Sequence, residues 1–323
     1  MDTLLVPILI LIASLALLWF GAEGLVRGGA ALVVRLGLTP LVVGLTVVAY
    51  GTSMPELLVS TRASLAGQGD IALGNVVGSN IFNICIILGL AAVIQPLKVQ
   101  RQLMKLDVPV MLAASFLFIP LFWDGVITRF EAGVFLVGLV AYTGINIYLA
   151  RKESATVQTE AMEVPLKKGS VPLEIAYLIG GLLVLVVGSH LLVDSSVTIA
   201  RHLGLSEAVI GLTIVAAGTS MPELATSVVA ALRRQADIAI GNVVGSNIYN
   251  LLGIVGVSGA IIPLRGPGLQ PVDLAVMAGS TLLLLPLMRT GFLIRRWEGA
   301  LLLAVYAGYL WWLWPDPAAV PAA

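Results

Sequence analysis

Two glutamates carry the strongest chemical signal in this sequence, because each lies in the middle of an apolar segment. Glu56 belongs to the sequence GTSMPEL at residues 51–57, and Glu223 belongs to a second GTSMPEL at residues 218–224. A charged side chain deep in a bilayer costs at least about 2.5–3.5 kcal/mol, so such a residue is a functional candidate by default. These two are the acidic residues that our assignment of membrane spans, given below, places deep in a span.

Each glutamate is preceded by residues that weaken a helix. Pro55 and Pro222 cannot donate a backbone hydrogen bond and clash with the preceding turn, and Gly51 and Gly218 loosen the same stretch. Irregular backbone at membrane depth is tolerated where it is buried in protein or lines a cavity. A helix broken here would turn carbonyl oxygens toward that cavity, and carbonyl and carboxylate oxygens are ligands of hard cations.

Further oxygen-bearing side chains accompany the glutamates. Ser53 precedes Glu56 by three residues, so the two share a helical face. The next segment of each copy carries polar residues at intervals of four, which are Asn75, Ser79 and Asn83, and then Asn242, Ser246 and Asn250. A set of oxygen ligands without Cys or His suits Ca²⁺, Na⁺ or Mg²⁺ rather than zinc or copper.

Part of this polar pattern has a second interpretation. Four asparagines are expected either to bind the ion or to hydrogen-bond a neighbouring helix, and these are Asn75, Asn80, Asn242 and Asn247. The glycines at 74 and 78, and at 241 and 245, form GxxxG patterns, which predict closely packed helices. Cys85 lies in an apolar run and is expected to fill the core.

The two motif regions are copies of one unit. Residues 42–60 read VVGLTVVAYGTSMPELLVS and residues 209–227 read VIGLTIVAAGTSMPELATS, while DIALGNVVGSNIFN at 70–83 returns as DIAIGNVVGSNIYN at 237–250. The offset is 167 residues throughout, and about 34 of 57 positions are identical between 41–97 and 208–264. An internal repeat of this quality predicts that the protein consists of two halves with similar structures.

The composition places both copies in a membrane. Hydrophobic residues make up 59% of the 323 residues and charged residues 11%, whereas soluble domains carry roughly a quarter charged residues. A ruler of roughly 20 apolar residues per span predicts ten spans. They are expected near 4–24, 40–62, 71–94, 107–123, 127–149, 173–195, 206–232, 238–262, 271–288 and 297–314. The fold class is therefore an all-α membrane protein.

The distribution of basic residues predicts the orientation. With the N-terminus outside, 14 of the 18 Lys and Arg residues fall in cytoplasmic loops, as the positive-inside rule requires. The polar stretch 151–170 is then a cytoplasmic linker between repeats at 1–150 and 171–323. Because each half holds five spans, an odd number, the second half enters the membrane from the opposite side. Inverted repeats of this kind are typical of secondary transporters, whose sites lie near the midplane.

Several protein classes are disfavoured. A formal net charge of zero leaves no basic excess for nucleic acid. The single cysteine excludes an internal disulfide or a cysteine cluster, and two histidines are too few for a zinc site. The first apolar run lacks the basic start of a signal peptide and is expected to be a retained span. We expect no cofactor and no enzymatic activity. The lipid bilayer is the one partner that the sequence indicates.

The paired GTSMPEL and GNVVGSNIFN or GNVVGSNIYN segments resemble the two alpha-repeats of the calcium/cation antiporter superfamily, and most closely those of prokaryotic sodium/calcium exchangers. The resemblance implies ten helices, of which the second, third, seventh and eighth enclose four cation sites. It implies central carboxylates at Glu56 and Glu223 and completion of the centre by Asn83 and Asn250. It further implies hydroxyl ligands from Ser53, Ser79, Ser220 and Ser246, and mainly backbone carbonyls from Thr52, Thr219, Ala49 and Ala216.

This sequence departs from well-studied exchangers at one position. Those exchangers carry an aspartate at one of the two positions that correspond to 83 and 250. This sequence has asparagine at both positions. Two glutamates and one Ca²⁺ form a neutral assembly, which a low dielectric favours. The stoichiometry of Na⁺ exchange stays open.

The resulting expectation is an antiporter of the cell membrane that exchanges Na⁺ for Ca²⁺ by alternating access. A calcium/proton antiporter is the alternative, because glutamate can also carry protons. A cation channel is a third hypothesis, although an inverted internal repeat is typical of transporters. An intramembrane hydrolase is disfavoured because no His or Lys base accompanies the Glu and Ser residues.

Overall fold

The computed structural model describes residues 2–36, 39–160, 170–202 and 216–313. Long apolar runs become helices because a helix satisfies every backbone hydrogen bond within one segment. In the first half these are α1 (Asp2–Leu36), α2 (Pro40–Thr52), α3 (Met54–Leu65), α4 (Gly69–Ile94), α5 (Arg101–Lys105), α6 (Asp107–Leu121) and α7 (Arg129–Glu160). In the second half they are α8 (Val171–His202), α9 (Ala216–Thr219), α10 (Met221–Leu232), α11 (Ala236–Ile261), α12 (Pro271–Arg289) and α13 (Arg296–Leu313).

Four two-residue strands tie the halves together. They are β1 (Leu97–Lys98), β2 (Val126–Ile127), β3 (Leu264–Arg265) and β4 (Leu293–Ile294). β1 pairs with β4, and β2 pairs with β3, both antiparallel. Each pair therefore joins one strand from each half, which fixes how the two halves sit against each other.

Among the described residues, seven helices are long and apolar enough to cross a membrane, or up to eight if the bent pair α2 and α3 is one span. The expected ten spans are therefore not all present as such helices. Residues 206–215 of the predicted seventh span lie outside the described ranges. The described remainder of that span consists of α9 and the 12-residue α10. α13 matches the predicted tenth span but is not among the seven.

The linker prediction covers a segment that is partly helical. α7 continues to Glu160, so residues 151–160 extend a membrane helix rather than forming irregular chain. Polar side chains do not prevent this, because a helix emerging from the membrane keeps its internal hydrogen bonds in water. Residues 161–169 lie outside the described part of the chain.

α11 forms the centre of the protein, and its apolar length is buried throughout. Its GxxxG glycines allow this. A Cβ atom on Gly241 would lie 2.9 Å from the carbonyl oxygen of Leu41, and one on Gly245 only 2.5 Å from that of Leu45. The close packing expected for this copy is thus confirmed. The counterparts of Leu41 and Leu45 in the second repeat, at 208 and 212, are not described, so the same expectation for Gly74 and Gly78 stays a prediction.

α1 and α8 form a separate pair with their backbones in contact. A Cβ on Gly181 would lie 2.5 Å from the backbone nitrogen of Leu25, and one on Gly21 would lie 2.8 Å from that of Leu185. Their other faces expose large apolar side chains such as Phe20 and Leu183. Since lipid tails accept such side chains, α1 and α8 are peripheral helices that pack on the buried centre.

Candidate cation site

The helix breaks predicted beside the glutamates are present. Ser53 interrupts the helix between α2 and α3, which meet at 43°, and its φ and ψ are −83° and 8°. Ser220 separates α9 from α10 with almost the same angles, −86° and 9°. In both copies the proline lies in the first turn of the following helix, where its missing N–H has no helical partner to lose. Each glutamate consequently lies one turn beyond a break.

The two carboxylates are bonded across the repeat. The hydroxyl of Ser53 donates to Oε1 of Glu223 at 2.8 Å, and the hydroxyl of Ser220 donates to Oε1 of Glu56 at 3.0 Å. Ser220 also lies 3.1 Å from the hydroxyl of Ser79. Both glutamates are 1% exposed and close enough to interact electrostatically. The structure therefore brings the breaks of both halves into one buried centre.

Five oxygen atoms at predicted ligand residues have no hydrogen-bond partner among the described residues. They are Oε2 of Glu56, Oε2 of Glu223, Oδ1 of Asn83, Oδ1 of Asn250 and Oγ of Ser246. Buried polar groups are rarely left in this state, because each unmade bond costs about 1–3 kcal/mol. Two like-charged buried carboxylates with free lone pairs require a positive partner.

Such a partner would be held mainly by neutral oxygens. Among the described residues, no group of three or more His, Cys, Asp and Glu side chains gathers in a geometry that could hold a metal ion. Ca²⁺ and Na⁺ accept amide, hydroxyl and carbonyl oxygens beside carboxylates. The oxygens without a partner are carboxylate, amide and hydroxyl oxygens, and this donor chemistry fits Ca²⁺ or Na⁺.

Asn75 supports the glutamate-bearing helix of its own half. Its Nδ2 donates to the backbone oxygen of Glu56 at 3.3 Å and to the hydroxyl of Ser60 at 2.9 Å. Its Oδ1 accepts from the hydroxyl of Thr219, in the other half, at 3.1 Å. Of the two interpretations open for Asn75, the structure favours a helix–helix hydrogen bond.

Asn242 repeats this arrangement in the second half. Its Nδ2 donates to the backbone oxygen of Glu223 at 3.2 Å and to the hydroxyl of Ser227 at 2.9 Å, and its Oδ1 accepts from Thr52 at 3.1 Å. The hydroxyls of Thr52 and Thr219 are thus used between the halves. That the backbone oxygens of these two threonines bind an ion, as the resemblance implies, stays a prediction.

The two alanines differ in what the structure describes. Ala49 is fully buried in α2, and its backbone oxygen accepts from the backbone N–H of Ser53 at 3.0 Å and from the hydroxyl of Thr52 at 3.3 Å. Ala216 is the first residue of α9, at the edge of the described part of the chain. The structure therefore places Ala49 beside the break, whereas the contribution of Ala216 stays a prediction.

Asn247 orients one of the predicted central ligands. Nδ2 of Asn83 donates to Oδ1 of Asn247 at 3.0 Å, which leaves Oδ1 of Asn83 free. Asn247 in turn donates to the backbone oxygen of Asn80 at 3.5 Å and lies 3.7 Å from the sulfur of Met111. The sequence pattern left the role of Asn247 open, and no spacing signal revealed its partner, because the two asparagines are 164 residues apart.

We expect Asn247→Ala to weaken calcium binding about tenfold, since residues that orient a ligand are typically worth 10–100-fold in metal affinity. Ser115→Ala is the control, because the buried Ser115 hydroxyl donates to the backbone oxygen of Met111 in its own helix at 2.9 Å and to no predicted ligand. Equilibrium binding of radioactive calcium to the purified variants measures both effects. Equal losses in the two variants would show that Asn247 is a packing residue.

Comparisons with known proteins identify the family of this chain. The sequence model of the family described as "Sodium/calcium exchanger protein" matches residues 6–148 and 173–314. The putative antiporter CaxA of Alkalimonas amylolytica is 36% identical over 313 residues, covering 95% of this chain and 98% of that protein. The sodium/calcium exchanger MaX1 of Methanosarcina acetivorans is 33% identical over 94% of this chain and 97% of its own.

The fold is shared with a solved exchanger. A structure of the sodium-calcium exchanger NCX_Mj, soaked with Na⁺ and Ca²⁺, superimposes with a TM-score of 0.82 at 33% identity, over 95% of this chain and 98% of that one. The family match spans both halves, and the relatives align along almost the whole length. The chain therefore belongs to the sodium/calcium exchanger family, whose members are multi-pass membrane antiporters rather than enzymes and transport Na⁺ and Ca²⁺.

Proposed function

We propose that this protein exchanges Na⁺ for Ca²⁺ across the cell membrane, at a site centred on Glu56 and Glu223. The observation that carries the proposal is the pair of buried carboxylates, one from each half, whose second oxygens have no partner among the described residues. Oδ1 of Asn83 and Oδ1 of Asn250 are free in the same way. The remaining predicted ligands are Ser53, Ser79, Ser220, Ser246, Thr52, Thr219, Ala49 and Ala216.

Exchange follows from the electrostatics of this centre. When the site is empty, two negative charges face each other in a low dielectric, and moving them across the membrane interior is costly. One Ca²⁺ neutralises both carboxylates, and Na⁺ ions binding the same oxygens do so in its place. Because the ligands overlap, the two ions exclude each other. The protein turns the site from one side of the membrane to the other only when the site is occupied, which makes exchange obligatory.

The bonds between the halves link occupancy to movement. Glu223 is held by Ser53 and Glu56 by Ser220, each from the opposite repeat. An ion that draws the carboxylates toward itself therefore changes contacts between the repeats. In this proposal the peripheral pair α1 and α8 slides over the buried centre, since lipid-exposed helices with close backbone contact can move as one body.

A calcium/proton antiporter is the second candidate. It is favoured by the same close carboxylates, because two protons would neutralise them as well as one Ca²⁺ does. The driving ion is decided with purified protein in liposomes loaded with sodium and diluted into sodium-free buffer containing radioactive calcium. We expect uptake that requires internal Na⁺. Uptake that ignores Na⁺ and follows an imposed pH gradient would establish the proton antiporter instead.

The proposal includes ten spans in two inverted repeats, with the N-terminus outside and residues 161–169 in the cytoplasm. We expect a cysteine introduced as Glu160→Cys to resist a membrane-impermeant maleimide added to intact cells, and Asp124→Cys, in the predicted outer loop, to react. The native Cys85 is buried and gives no background. Labelling at 160 with protection at 124 would reverse the orientation.

A further inference from the structure

The two copies of the repeat hold their central asparagines in different ways. In the first half, Nδ2 of Asn83 donates to Oδ1 of Asn247 at 3.0 Å. The equivalent partner of Asn250 would be Asn80, but Oδ1 of Asn80 has no hydrogen-bond partner among the described residues. The amide of Asn80 donates instead to the backbone oxygen of Val76 at 2.9 Å. Asn250 is buried all the same, so its position depends on other contacts.

An aromatic pair lies directly beside Asn250. The ring of Tyr249, its neighbour in the chain, stacks on the ring of Tyr50 with the two centroids 4.6 Å apart and 29° between the planes. This spacing is within the range that aromatic side chains prefer. Tyr50 lies on α2 and directly follows Ala49, whose backbone oxygen is a predicted ligand. The stack therefore joins the chain at one predicted ligand to the chain at another.

Two further residues fix the positions of the stacked rings. The hydroxyl oxygen of Tyr50 lies 2.9 Å from that of Thr143 on α7, which is a hydrogen-bond distance. A Cβ atom on Gly253 would lie 2.8 Å from two ring carbons of Tyr249, so this ring occupies the space that a side chain at 253 would need. The aromatic pair is therefore held by contacts with α2, α7 and α11 together.

All four residues of this cluster differ from their counterparts in the other copy. At the offset of 167 residues, Tyr50 corresponds to Ala217, Tyr249 to Phe82, Gly253 to Ile86 and Thr143 to Leu310. The other copy cannot form the stack, because an alanine has no ring, and it cannot form the hydroxyl pair. Phe82 contacts Tyr306 edge-on instead, with the ring centroids 5.7 Å apart and 78° between the planes.

We propose that Tyr50 and Tyr249 are positioning residues, which hold α2 against α11 on one side of the cation site and thereby fix Asn250. The inference rests on the proposed function, because it takes Asn250 as a ligand. Asn83 does not need such a stack, since Asn247 orients its amide directly. Ligands bind an ion tightly only when the surrounding residues hold them in place. One ligand is thus supported by an amide and its counterpart by an aromatic pair.

Equilibrium binding of radioactive calcium to the purified variants tests the proposal. Tyr249→Ala should bind calcium about tenfold more weakly than wild type, as is typical when a residue that positions a metal ligand is lost. Tyr249→Phe keeps the ring and should bind like wild type. Phe82→Ala is the matched control, because Phe82 and Tyr249 are both 7% exposed and each directly precedes a central asparagine. The control should lower the melting temperature as much as Tyr249→Ala but leave the calcium affinity unchanged.

Tyr50→Ala removes the same stack from the other helix, and it serves as the test if Tyr249→Ala does not fold. It should weaken calcium binding by the same factor. The double variant should lose no more affinity than either single variant, because two residues that act through one contact are not additive. Equal affinity losses in Tyr249→Ala and Phe82→Ala, no recovery in Tyr249→Phe, or losses that multiply in the double variant would overturn the positioning role.

The same binding measurement separates a failure of this inference from a failure of the proposed function. Wild type should bind calcium that Na⁺ displaces, and Glu56→Gln should lose that binding. If wild type bound no calcium, or if Glu56→Gln bound it equally well, the proposed function would be wrong and the positioning role with it. If both expectations held and Tyr249→Ala bound calcium like wild type, only the positioning role would be wrong.

Discussion

Glu56→Gln and Glu223→Gln should each abolish calcium exchange in liposomes. Each change removes one of two charges that face a divalent ion at low dielectric, which is worth several kcal/mol and weakens binding more than about 100-fold. The losses should be equal, because the two glutamates occupy equivalent positions in the repeat and are equally buried. Uptake of radioactive calcium driven by internal sodium is the measurement.

The fold should survive these substitutions. Glutamine keeps the size of the side chain, and its amide oxygen can still accept the hydrogen bond that Ser220 or Ser53 donates. Asp124→Asn, which neutralises a carboxylate in an exposed loop, is the matched control and should transport normally. Retained transport in either glutamate variant, with normal expression, would remove that glutamate from the site.

Gly245→Ala should have the second largest effect. The added methyl group would lie 2.5 Å from the carbonyl oxygen of Leu45 and 2.7 Å from Cβ of Ala49, so α2 must move away from α11. Overpacking of this kind costs about 1–3 kcal/mol. The movement displaces Ala49 and the neighbouring Ser246, both predicted ligands. We expect a lower melting temperature and a roughly tenfold weaker binding of calcium.

Gly279→Ala is the control for this effect. Gly279 lies on the exposed side of α12, where a Cβ atom meets nothing described within 4 Å. Thermal unfolding followed by fluorescence and calcium binding should both resemble wild type in this variant. If Gly245→Ala behaved in the same way, the close contact between α2 and α11 would not position the site.

The sequence was sufficient to predict which glutamates and helix breaks the structure brings together at the candidate site. The repeat located Glu56 and Glu223, and the proline beside each glutamate predicted a break that is present at Ser53 and Ser220. These features depend on residues close together in the chain, where backbone chemistry decides the outcome. The positions of Asn83 and Asn250 followed from the interval of four residues in the next helix.

Features that depend on contacts between the halves could not be predicted. The bond from Asn83 to Asn247 joins residues 164 positions apart, and no local pattern distinguishes it from the alternatives. The π-helical turns that begin at Asn83 and Tyr249 also have no signature in helix propensity, although such turns are frequent at functional sites.

The most direct test of the central claim is to locate the ion itself. Crystals grown without sodium and soaked in Sr²⁺, a stand-in for Ca²⁺ with a usable anomalous signal, should show one strong peak between the carboxylates of Glu56 and Glu223. The peak should disappear when excess Na⁺ is added. A peak elsewhere, for example in the surface cleft between Lys98 and Asp237, or one between the glutamates that Na⁺ does not displace, would contradict the account.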